Sequence, residues 1–541
     1  MRFIKSFLIM AFTATILFNC GASSAVISTP VENISKLPIK TSELTEKEKQ
    51  TWSHLDLIKD TIPGMSVNKA YDQIIKNKKG KTTIVAVIDS GVDIDHEDLK
   101  DVIWTNTKEI ANNGKDDDNN GYIDDIHGWN FLGNTLNEQY EYVRLLATGD
   151  TSNPNYAKAQ AEYTKEHEKY LNLKLNYEQN ISIVKNADDQ LSKYFKKSNY
   201  TKDDVYAVTS SDQSIQESVA LAKYVYSLDF ESLQKALLAF NEDFEDINKH
   251  LNYYLNKNYK GRTTGDNPDD LTQKFYGNNN IKPIDKTESH GTHVAGIIAA
   301  ERNNGKGVDG IANNVKIMTI RTVPDGDEHD KDVALAIKYA VDNGAKVING
   351  SFGKYYSNHS NWVRDAIVYA SKKDVLIVIA AGNDGYNLDN VTTYPNDADG
   401  NGPEVADNYI EVGAIEPNYG SNMVSYFSNY GKINVDIFAP GGKIYSTYPE
   451  NEYETISGTS MASPAVAGVA ALIRSQYPNL TASQVKHIIL NSGLPITIKV
   501  IVPESSKVKP FSDLSKSGKI VNAYNALIMA QEISKNTLTS N

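Results

Sequence analysis

Apolar residues along this chain change their spacing several times, and each spacing predicts a different element. Residues 84–88 form a continuous run rich in β-branched side chains, which is typical of a strand buried on both faces of a parallel sheet. Five later runs have the same character: 315–320, 347–348, 375–380, 409–412 and 435–438. Helical spacing lies between several of these runs, at 332–343, 361–373 and 463–476. Strands that alternate with helices predict an α/β fold with a mostly parallel central sheet, whose functional residues lie at the carboxyl ends of the strands.

The stretch from about residue 132 to residue 282 does not follow this alternation. It is rich in Tyr, Lys, Glu and Asn, and four of its tyrosines recur every seven residues: Tyr156, Tyr163, Tyr170 and Tyr177. A seven-residue repeat on one helix face predicts a packing seam. Asn153 and Pro154 are expected to cap and begin this helix. Since 214–226 and 230–255 also have helical spacing, we predict an α-helical insertion over 132–282.

Composition and charge narrow the class of protein. The 541 residues are 40% hydrophobic and 23% charged, as in folded soluble proteins. The net charge is −13, with 55 Lys and Arg against 68 Asp and Glu. Because phosphates are bound by basic surfaces, we expect no nucleic-acid partner. No run beyond the first twenty residues is apolar enough to span a bilayer, and nothing in the sequence implies an oligomer.

The N-terminal residues predict export. A short basic region is followed by an apolar stretch at 7–18, which is the pattern of a signal peptide. The stretch ends Leu17-Phe18-Asn19-Cys20, which resembles a bacterial lipoprotein signal in which residues 1–19 are removed and Cys20 carries the lipid. Asn19 departs from that pattern, and cleavage near 23–25 that discards Cys20 is the alternative. We expect an exported protein that is lipid-anchored in a bacterial envelope membrane, on the periplasmic side or at the cell surface.

Residues that carry chemistry occur in four short segments. Asp89 and Asn383 each follow a predicted strand, and His290 and Ser460 each begin an apolar helical pattern. Each segment alone has an ordinary structural explanation, such as a turn or a helix cap. Together they supply a serine nucleophile, a histidine base, a carboxylate that fixes the tautomer of the base, and an amide donor for an oxyanion. His293, one turn after His290, is expected to be a packed or hydrogen-bonded core residue.

The position of Ser460 relative to its helix also matters. Pro464 is expected in the first turn of the helix, which would place Ser460 at or just before the helix N-terminus. Backbone N–H groups at that end favour a developing negative charge.

The order and the amino-acid sequences of the four segments resemble those of a known family. The segments VAVIDSGVD, SHGTHVAG, AAGN and SGTSMASP look like the defining motifs of the subtilisin-like serine peptidases, the subtilase or S8 family. The resemblance covers about 81–131 and 283–530. It implies a three-layer α/β/α fold and a serine endopeptidase that hydrolyses peptide bonds in polypeptides through an acyl-enzyme. It also implies a triad of Asp89, His290 and Ser460, with Asn383 and the backbone N–H of Ser460 as oxyanion donors.

The same resemblance extends to substrate binding. Ser351, Phe352 and Gly353 resemble the segment that pairs with substrate backbone and walls the specificity pocket, and Thr393 resembles a residue at the base of that pocket. Two rival functions remain open: a catalytically silent protein whose insertion binds a partner, and transfer of the acyl group to an amine instead of hydrolysis. The insertion itself is expected to overhang or flank the cleft and to restrict access, the alternative being a bundle that packs away from the cleft.

The predicted domain organisation follows from these patterns. After the signal peptide, an N-terminal segment at 20–80 leads into the catalytic domain, which consists of 81–131 and 283–530 on either side of the insertion. A C-terminal tail covers 531–541.

An acidic loop immediately precedes the predicted insertion. Residues 116–125 place oxygen-bearing side chains at alternate positions with Gly at the sixth, which resembles a calcium loop, and several members of the family carry a similar one. The twelfth position is His127, so the loop is not an EF-hand. The predicted ligands are Asp116, Asp118, Asn120, the carbonyl of Tyr122, and Asp124 or Asp125. A solvated acidic turn is the alternative, but so many carboxylates in one short loop repel one another unless a cation lies among them.

Overall fold

Strands and helices alternate over most of residues 40 and 42–539, which are the residues that the computed structural model describes; side chains are described as far as residue 536. The strands in this part of the chain are β1 (Thr83–Asp89), β2 (Gly128–Asn130), β3 (Val315–Arg321), β4 (Val347–Gly350), β5 (Leu376–Ala380), β6 (Tyr409–Ile415), β7 (Ile437–Pro440), β8 (Ile444–Tyr448), β9 (Glu452–Ile456), β10 (Leu494–Pro495), β11 (Lys499–Ile501), β12 (Val508–Pro510) and β13 (Lys519–Ile520). The α-helices are α1 (Glu46–Thr51), α2 (Val67–Ala70), α3 (Glu141–Ala147), α4 (Tyr156–Phe195), α5 (Lys202–Tyr206), α6 (Gln213–Ser227), α7 (Leu233–Lys249), α8 (His290–Ala299), α9 (Asp330–Asp342), α10 (Ser360–Lys372), α11 (Thr459–Gln476), α12 (Ala482–Ser492) and α13 (Ala523–Thr539). The predicted signal peptide and Cys20 lie outside the described residues.

Nine of these strands form one central sheet in the order β10-β13-β7-β6-β5-β4-β1-β3-β2. Every neighbouring pair is parallel except β10 and β13. Within this register Val85 of β1 lies opposite Ile317 of β3 on one side and Val347 of β4 on the other. The mostly parallel sheet predicted from the apolar runs is therefore confirmed.

Alternate residues of β1 enter two different cores, which shows why the strand is apolar throughout. Val85 and Val87 pack in a cluster that includes α8 and α11, whereas Ala86 and Ile88 pack in a second cluster that includes α9 and α10. All four side chains are at most 1% exposed. Burying each of the larger ones contributes about 1.5–3 kcal/mol. Helices cover both faces of the sheet, so the predicted three-layer α/β/α arrangement is confirmed.

The N-terminal segment belongs to the same body. Trp52 is 1% exposed and donates its indole N–H to the carbonyl of Lys443 at 3.1 Å, and Met65 is fully buried in the α8–α11 core. None of the helices among the described residues combines the length and the apolarity that crossing a bilayer requires.

Helices α3 to α7 lie within the predicted insertion. Helix α4 has 40 residues, which corresponds to a length of about 60 Å. The tyrosine seam on α4 is a packing surface, as predicted: Tyr156, Tyr163 and Tyr170 pack near its N-terminal end, and Tyr177 contacts Phe240 and donates to the carboxylate of Asp243. After a π-helical turn at His250–Tyr254 the chain returns to the body as irregular backbone.

The insertion has two separate apolar clusters. The base cluster joins the insertion to the body and consists of Tyr142, Val143, Leu145, Leu146, Ala159, Leu255 and Tyr356, with the first three seam tyrosines packed around it. The distal cluster lies towards the other end of α4 and consists of Val184, Ala187, Leu191, Tyr200, Val205, Val219, Ala222, Val225, Tyr226, Leu233 and Ala236. Tyr356 lies in the body, so the base cluster is shared and the distal cluster is internal to the insertion.

The start of α4 differs from the prediction. The helix begins at Tyr156, and Asn153 and Pro154 lie in a turn before it. Asn153 accepts the backbone N–H of Tyr156 on its carbonyl and that of Asn155 on its side-chain oxygen. The asparagine therefore closes a turn that leads into the helix instead of capping the helix directly.

Candidate active site

The carboxyl ends of neighbouring parallel strands meet at one edge of the sheet, and a cleft of about 400 Å³ lies there. Asp89 is the last residue of β1, and Asn383 follows β5. His290 begins α8, and Ser460 is the second residue of α11. All four residues line this cleft, although up to 371 positions separate them along the chain.

Asp89 and His290 form a direct hydrogen bond. The His290 Nδ1 lies 2.7 Å from the Asp89 Oδ1, and the same oxygen accepts the backbone N–H of Ser90 at 2.8 Å. Asp89 is 1% exposed, whereas the side chain of His290 is 37% exposed. With Nδ1 held by the carboxylate, Nε2 is the ring nitrogen left to accept a proton.

Two features of the surroundings of His290 shift its pKa in opposite directions. Burial disfavours the charged imidazolium and lowers the pKa of His290, but the adjacent Asp89 carboxylate outweighs it, so the pKa lies above the ordinary histidine value. The positively charged form that arises when the ring takes up a proton is therefore stabilised by the protein.

Close packing of α8 keeps this pair together. A Cβ on Gly291 would lie 2.2 Å from the carbonyl oxygen of Gly91, which is part of the segment that follows β1. A larger residue would push the start of α8 away from β1. Glycine at this position therefore allows His290 to approach Asp89.

Ser460 lies in the first turn of α11, and Pro464 lies one turn later instead of in the first turn as predicted. Because Pro464 has no N–H, the Ser460 carbonyl lacks its usual partner four residues on. Ser351 donates its hydroxyl to that carbonyl at 2.8 Å, and the Ser460 hydroxyl donates to the Ser351 carbonyl at 3.3 Å. These two contacts bind Ser460 to the segment after β4. Attack on a substrate requires the Ser460 hydroxyl to turn from Ser351 towards His290. In structures without substrate, catalytic hydrogen bonds are often not yet formed.

The side chain of Asn383 is oriented by Thr459. Its Oδ1 accepts both the backbone N–H and the hydroxyl of Thr459, each at 2.9 Å, and Thr459 itself is fully buried. Since an N–H can only donate, the oxygen of the amide is identified and the NH₂ group lies on the other side. Asn383 is exposed in the cleft, next to the start of α11, where the backbone N–H of Ser460 is free of helical bonding. Two N–H donors are therefore available to one developing negative charge.

The structure places three of the four predicted substrate-binding residues in the cleft. Ser351, Phe352 and Gly353 line it, but Thr393 does not. Thr393 lines a separate small hollow, because the next residue, Tyr394, is paired with Lys354 through two backbone hydrogen bonds of 2.9 and 2.8 Å. The structure therefore places Thr393 outside the lining of this cleft, and its role in substrate binding stays a prediction.

Several residues of the cleft were not predicted from the sequence. Residues 323–326 and 328, which follow β3, form part of its wall, as do Tyr355 and Asp384. Strand β3 is the neighbour of β1, so its carboxyl end had to lie near Asp89. The strand order would have revealed this segment, but one sequence does not give the order of strands.

His293 is confirmed as a core residue. It is fully buried, and its Nε2 lies 3.1 Å from the backbone carbonyls of Ile444 and Glu454. Burial lowers the pKa of His293 to about 4, so the ring is neutral near pH 7 and is used for packing between α8 and the β8–β9 hairpin.

The acidic loop brings two predicted ligands together with one that was not predicted. Carboxylate oxygens of Glu109, Asp116 and Asp118 lie within 4.8 Å of one another. Glu109 is 8% exposed; its Oε1 accepts the backbone N–H groups of Asp117 and Asp118, while its buried Oε2 has no hydrogen-bond partner in the described part of the chain. An unpartnered buried carboxylate oxygen among other carboxylates fits a hard cation.

The other predicted ligands have hydrogen-bond partners in and around the loop, and their role as ligands stays a prediction. The two carboxylate oxygens of Asp124 accept backbone N–H groups of Asn113 and Gly114. Asp125 is fully buried and is bound by the hydroxyl of Tyr339 and by the amides of Asn106 and Asn120. Burial raises the pKa of Asp125 to about 6.

The remaining two predicted ligands also have partners of their own. The side-chain oxygen of Asn120 accepts the backbone N–H of Tyr122, and the ring of Tyr122 packs in the core beneath the loop. The carbonyl of Tyr122 stays a predicted ligand.

The chain is similar to several known proteins. A family model described as the subtilase family matches residues 80–518. A thermophilic serine proteinase of Bacillus sp. (strain AK1) is 44% identical over 202 residues, which cover 37% of this chain and 46% of that protein. Thermitase of Thermoactinomyces vulgaris is 39% identical over 232 residues, covering 42% of this chain and 76% of thermitase. Subtilisin DY of Bacillus licheniformis is 41% identical over 200 residues, covering 37% of this chain and 68% of that protein. The chain thus spans less than half of the first of these relatives.

Proposed function

Because this chain belongs to the subtilase family, we propose that it is a serine endopeptidase that hydrolyses peptide bonds in polypeptides through an acyl-enzyme. The observation that supports this most strongly is the shared cleft: a hydrogen-bonded Asp89–His290 pair, Ser460 and the amide of Asn383 line it together. A nucleophile, a base with its orienting carboxylate and two oxyanion donors are what acyl transfer by serine requires.

The first half of the reaction forms the acyl-enzyme. The Ser460 Oγ attacks the carbonyl carbon of the scissile peptide bond while its proton passes to the Nε2 of His290, and Asp89 stabilises the resulting imidazolium. The oxyanion accepts hydrogen bonds from the Asn383 amide and the Ser460 backbone N–H. His290 then gives its proton to the leaving amine, the C–N bond breaks, and Ser460 carries the acyl group.

The second half repeats the proton transfers with water. A water molecule gives a proton to His290 and attacks the ester carbonyl, and the same donors hold the second oxyanion. When this intermediate collapses, the Ser460 oxygen takes the proton back from His290, and a new C-terminal carboxylate leaves. We propose that Ser351, Phe352 and Gly353 hold the acyl part of the substrate through backbone pairing, because they line the cleft directly beside Ser460.

Cleavage of an unbiased peptide library in H₂¹⁸O tests the proposal. Mass spectrometry should show new C-termini that carry ¹⁸O, and an added amine should not replace water at those termini. Amine-capped products would instead favour acyl transfer, and the absence of any cleavage would favour the silent protein. Either result would overturn the hydrolytic assignment.

We also propose that the acidic loop binds calcium as a structural ion. Glu109, Asp116 and Asp118 would hold it, and the unpartnered Oε2 of Glu109 supports this ligand set. When bound, the ion neutralises the repulsion among these carboxylates. The loop ends just before β2, at the entrance to the insertion, so order in the loop fixes the point at which the insertion leaves the body.

We further propose that Cys20 carries a lipid and anchors the exported protein to a bacterial envelope membrane. The Leu17-to-Cys20 sequence supports this. Cell fractionation should place the wild-type protein with membranes and release it in detergent, whereas Cys20→Ser should be found in the soluble fraction. An intact mass that shows an unmodified N-terminus near Val26 would contradict lipidation.

A further inference from the structure

One wall of the cleft is held from behind by the insertion. The wall consists of two segments, residues 325–328 after β3 and residues 351–355 after β4, and members of both line the cleft. Neither segment forms a helix or a strand of its own. Their shape therefore depends on contacts with neighbouring elements, and helix α3 supplies several of these contacts.

Arg144 of α3 binds the first segment. Its guanidinium donates to the backbone carbonyl of Asp327 at 2.7 Å and to that of Glu328 at 3.0 Å. The backbone N–H of Glu141, at the start of the same helix, donates to the Asp327 carboxylate at 2.7 Å. One turn of α3 thus fixes the backbone of two successive residues behind the wall.

The backbone of the insertion packs closely against residues 325 and 326. The backbone of Asp325 exchanges hydrogen bonds with Leu136 and Glu138, at 2.8 and 2.7 Å. At Gly326, where φ is +113°, a Cβ would lie 2.1 Å from the carbonyl oxygen of Glu138. Glycine is required there, and the contact leaves the wall no room to shift towards the insertion.

Lys354 connects the second segment to the same helix. It directly follows the predicted substrate-binding residues and is 3% exposed. Its ammonium group donates to the Glu141 carboxylate at 3.0 Å and to the Glu328 carbonyl at 2.7 Å, and lies 3.0 Å from the Asp330 carboxylate. The Glu141 oxygen that binds Lys354 also binds Arg144. The carboxylate of Glu141 is therefore the link between the two segments.

We propose that Glu141 and Arg144 are positioning residues for the substrate: they set the spacing of the two wall segments and so the register of an extended peptide in the cleft. This rests on the proposed endopeptidase function. Neither residue lines the cleft, so they act through the backbone of residues 325–328 and 351–355. Small acyl compounds react at Ser460 without the backbone pairing along this wall that holds an extended peptide in place.

Substitution Glu141→Gln in the full chain tests the proposal with three readouts. For a tetrapeptide anilide, kcat/KM should fall by about 10- to 100-fold, because small displacements of positioning groups cost rates of that size. Hydrolysis of p-nitrophenyl acetate and the rate of labelling by a small fluorophosphonate should stay within about twofold of wild type, since both need only the catalytic groups. The matched control Glu217→Gln, on an exposed carboxylate of α6, should leave all three rates unchanged.

Equal loss in all three rates would mean that Glu141 only supports folding, and unchanged tetrapeptide cleavage would mean that it has no role; either result overturns the proposal. If Glu141→Gln does not fold, Arg144→Lys carries the same test, because a single ammonium keeps the charge but cannot bridge the two carbonyls. A wild-type protein that neither cleaves the tetrapeptide nor reacts with the fluorophosphonate would overturn the endopeptidase function itself, which separates the two failures.

Discussion

The α/β body and the helical insertion bury their apolar side chains in different ways. Apolar residues of the body converge on two large clusters, one on each face of a single sheet. The helices of the insertion bury theirs in two small clusters near opposite ends of α4, of which only the base cluster includes a residue of the body. Every group assigned to the reaction lies in the body. The insertion meets the wall of the cleft at its base, where α3 and the segment before it bind residues 325–328.

The site in the body and the base of the insertion also differ in their electrostatic environment. In the body, one buried carboxylate, Asp89, faces one histidine. At the base of the insertion, Glu141, Arg144 and Lys354 form a buried network in which each charge has an opposite partner. Removing one member of such a network leaves another charge buried without compensation. The Asp89–His290 pair thus fits proton transfer, whereas the network at the base of the insertion holds backbone in place.

Removing the proposed nucleophile should have the largest effect on kcat and should leave the structure of the insertion unchanged. Ser460→Ala is expected to lower kcat by about a millionfold, the size measured for the triad serine of subtilisin. The fold and the thermal midpoint should be retained, because the Ser460 carbonyl still accepts the hydroxyl of Ser351. Steady-state kinetics and circular dichroism check both statements, and near-full activity in this variant would refute the assignment of Ser460.

Changing the charge of the carboxylate should have the next largest effect. Asp89→Asn is expected to cost about 10⁴-fold in kcat, as found for the same change in another triad peptidase. Asp89 raises the pKa of His290, and the neutral ring is the active form, so wild-type kcat/KM should rise with pH through a midpoint above the ordinary value of about 6.5. In the variant, the residual activity should have its acid limb at lower pH. An unchanged midpoint in the pH–rate profile would contradict this role.

The oxyanion donor should matter less than the triad. Asn383→Leu is expected to lower kcat by about 10²- to 10³-fold with little change in KM, because the amide binds the oxyanion more strongly than the ground-state carbonyl. A variant that changes KM alone would show that Asn383 binds the substrate without stabilising the transition state.

Calcium should affect stability without changing the chemistry. At about a thousand times its dissociation constant, an ion that binds only the folded chain adds about 4 kcal/mol to the free energy of unfolding. A chelator should lower the thermal midpoint of wild type but not that of Asp118→Ala. Asp117→Ala is the matched control: its carboxylate accepts N–H groups of Ile110 and Asn113 and lies outside the three-carboxylate group, so the chelator effect should persist. Absence of a chelator effect in wild type would favour a solvated acidic turn.

The distal part of the insertion should have the smallest effect on peptides. Replacing 181–236 by a short Gly/Ser linker removes the distal cluster and keeps α3, the base cluster and the contacts of Tyr177 with α7. We expect unchanged kcat/KM on a tetrapeptide and a gain on folded protein substrates, as the prediction of restricted access requires. If the variant and the wild type cleave both kinds of substrate at the same rates, that prediction is refuted. A loss of tetrapeptide cleavage would contradict the separation of the base cluster from the distal cluster.

The parts of the fold that could be predicted are those in which local pattern and burial agree. Residues 84–88 read as a strand because both faces of β1 are buried, and the seven-residue spacing of tyrosines identified α4 because one face of that helix packs. The four proposed catalytic groups were recognisable because each lies in a short motif.

The parts that could not be predicted depend on contacts between distant residues. Glu141 and Lys354 are 213 positions apart, and neither has a local pattern that indicates its partner. Glu109 lies before the acidic motif and joins it only through the fold of the loop. Thr393 matched a motif, but it lies next to the pairing of Tyr394 with Lys354 and lines a separate hollow.

Covalent trapping of the nucleophile tests the central claim, that the body alone contains the complete reaction centre. The folded full chain is reacted with a fluorophosphonate, digested, and the modified residue is located by mass spectrometry. We predict a single adduct on Ser460, formed at the same rate in wild type and in the distal truncation and much more slowly in Asp89→Asn. An adduct on another serine, or no adduct on the folded chain, would contradict the account.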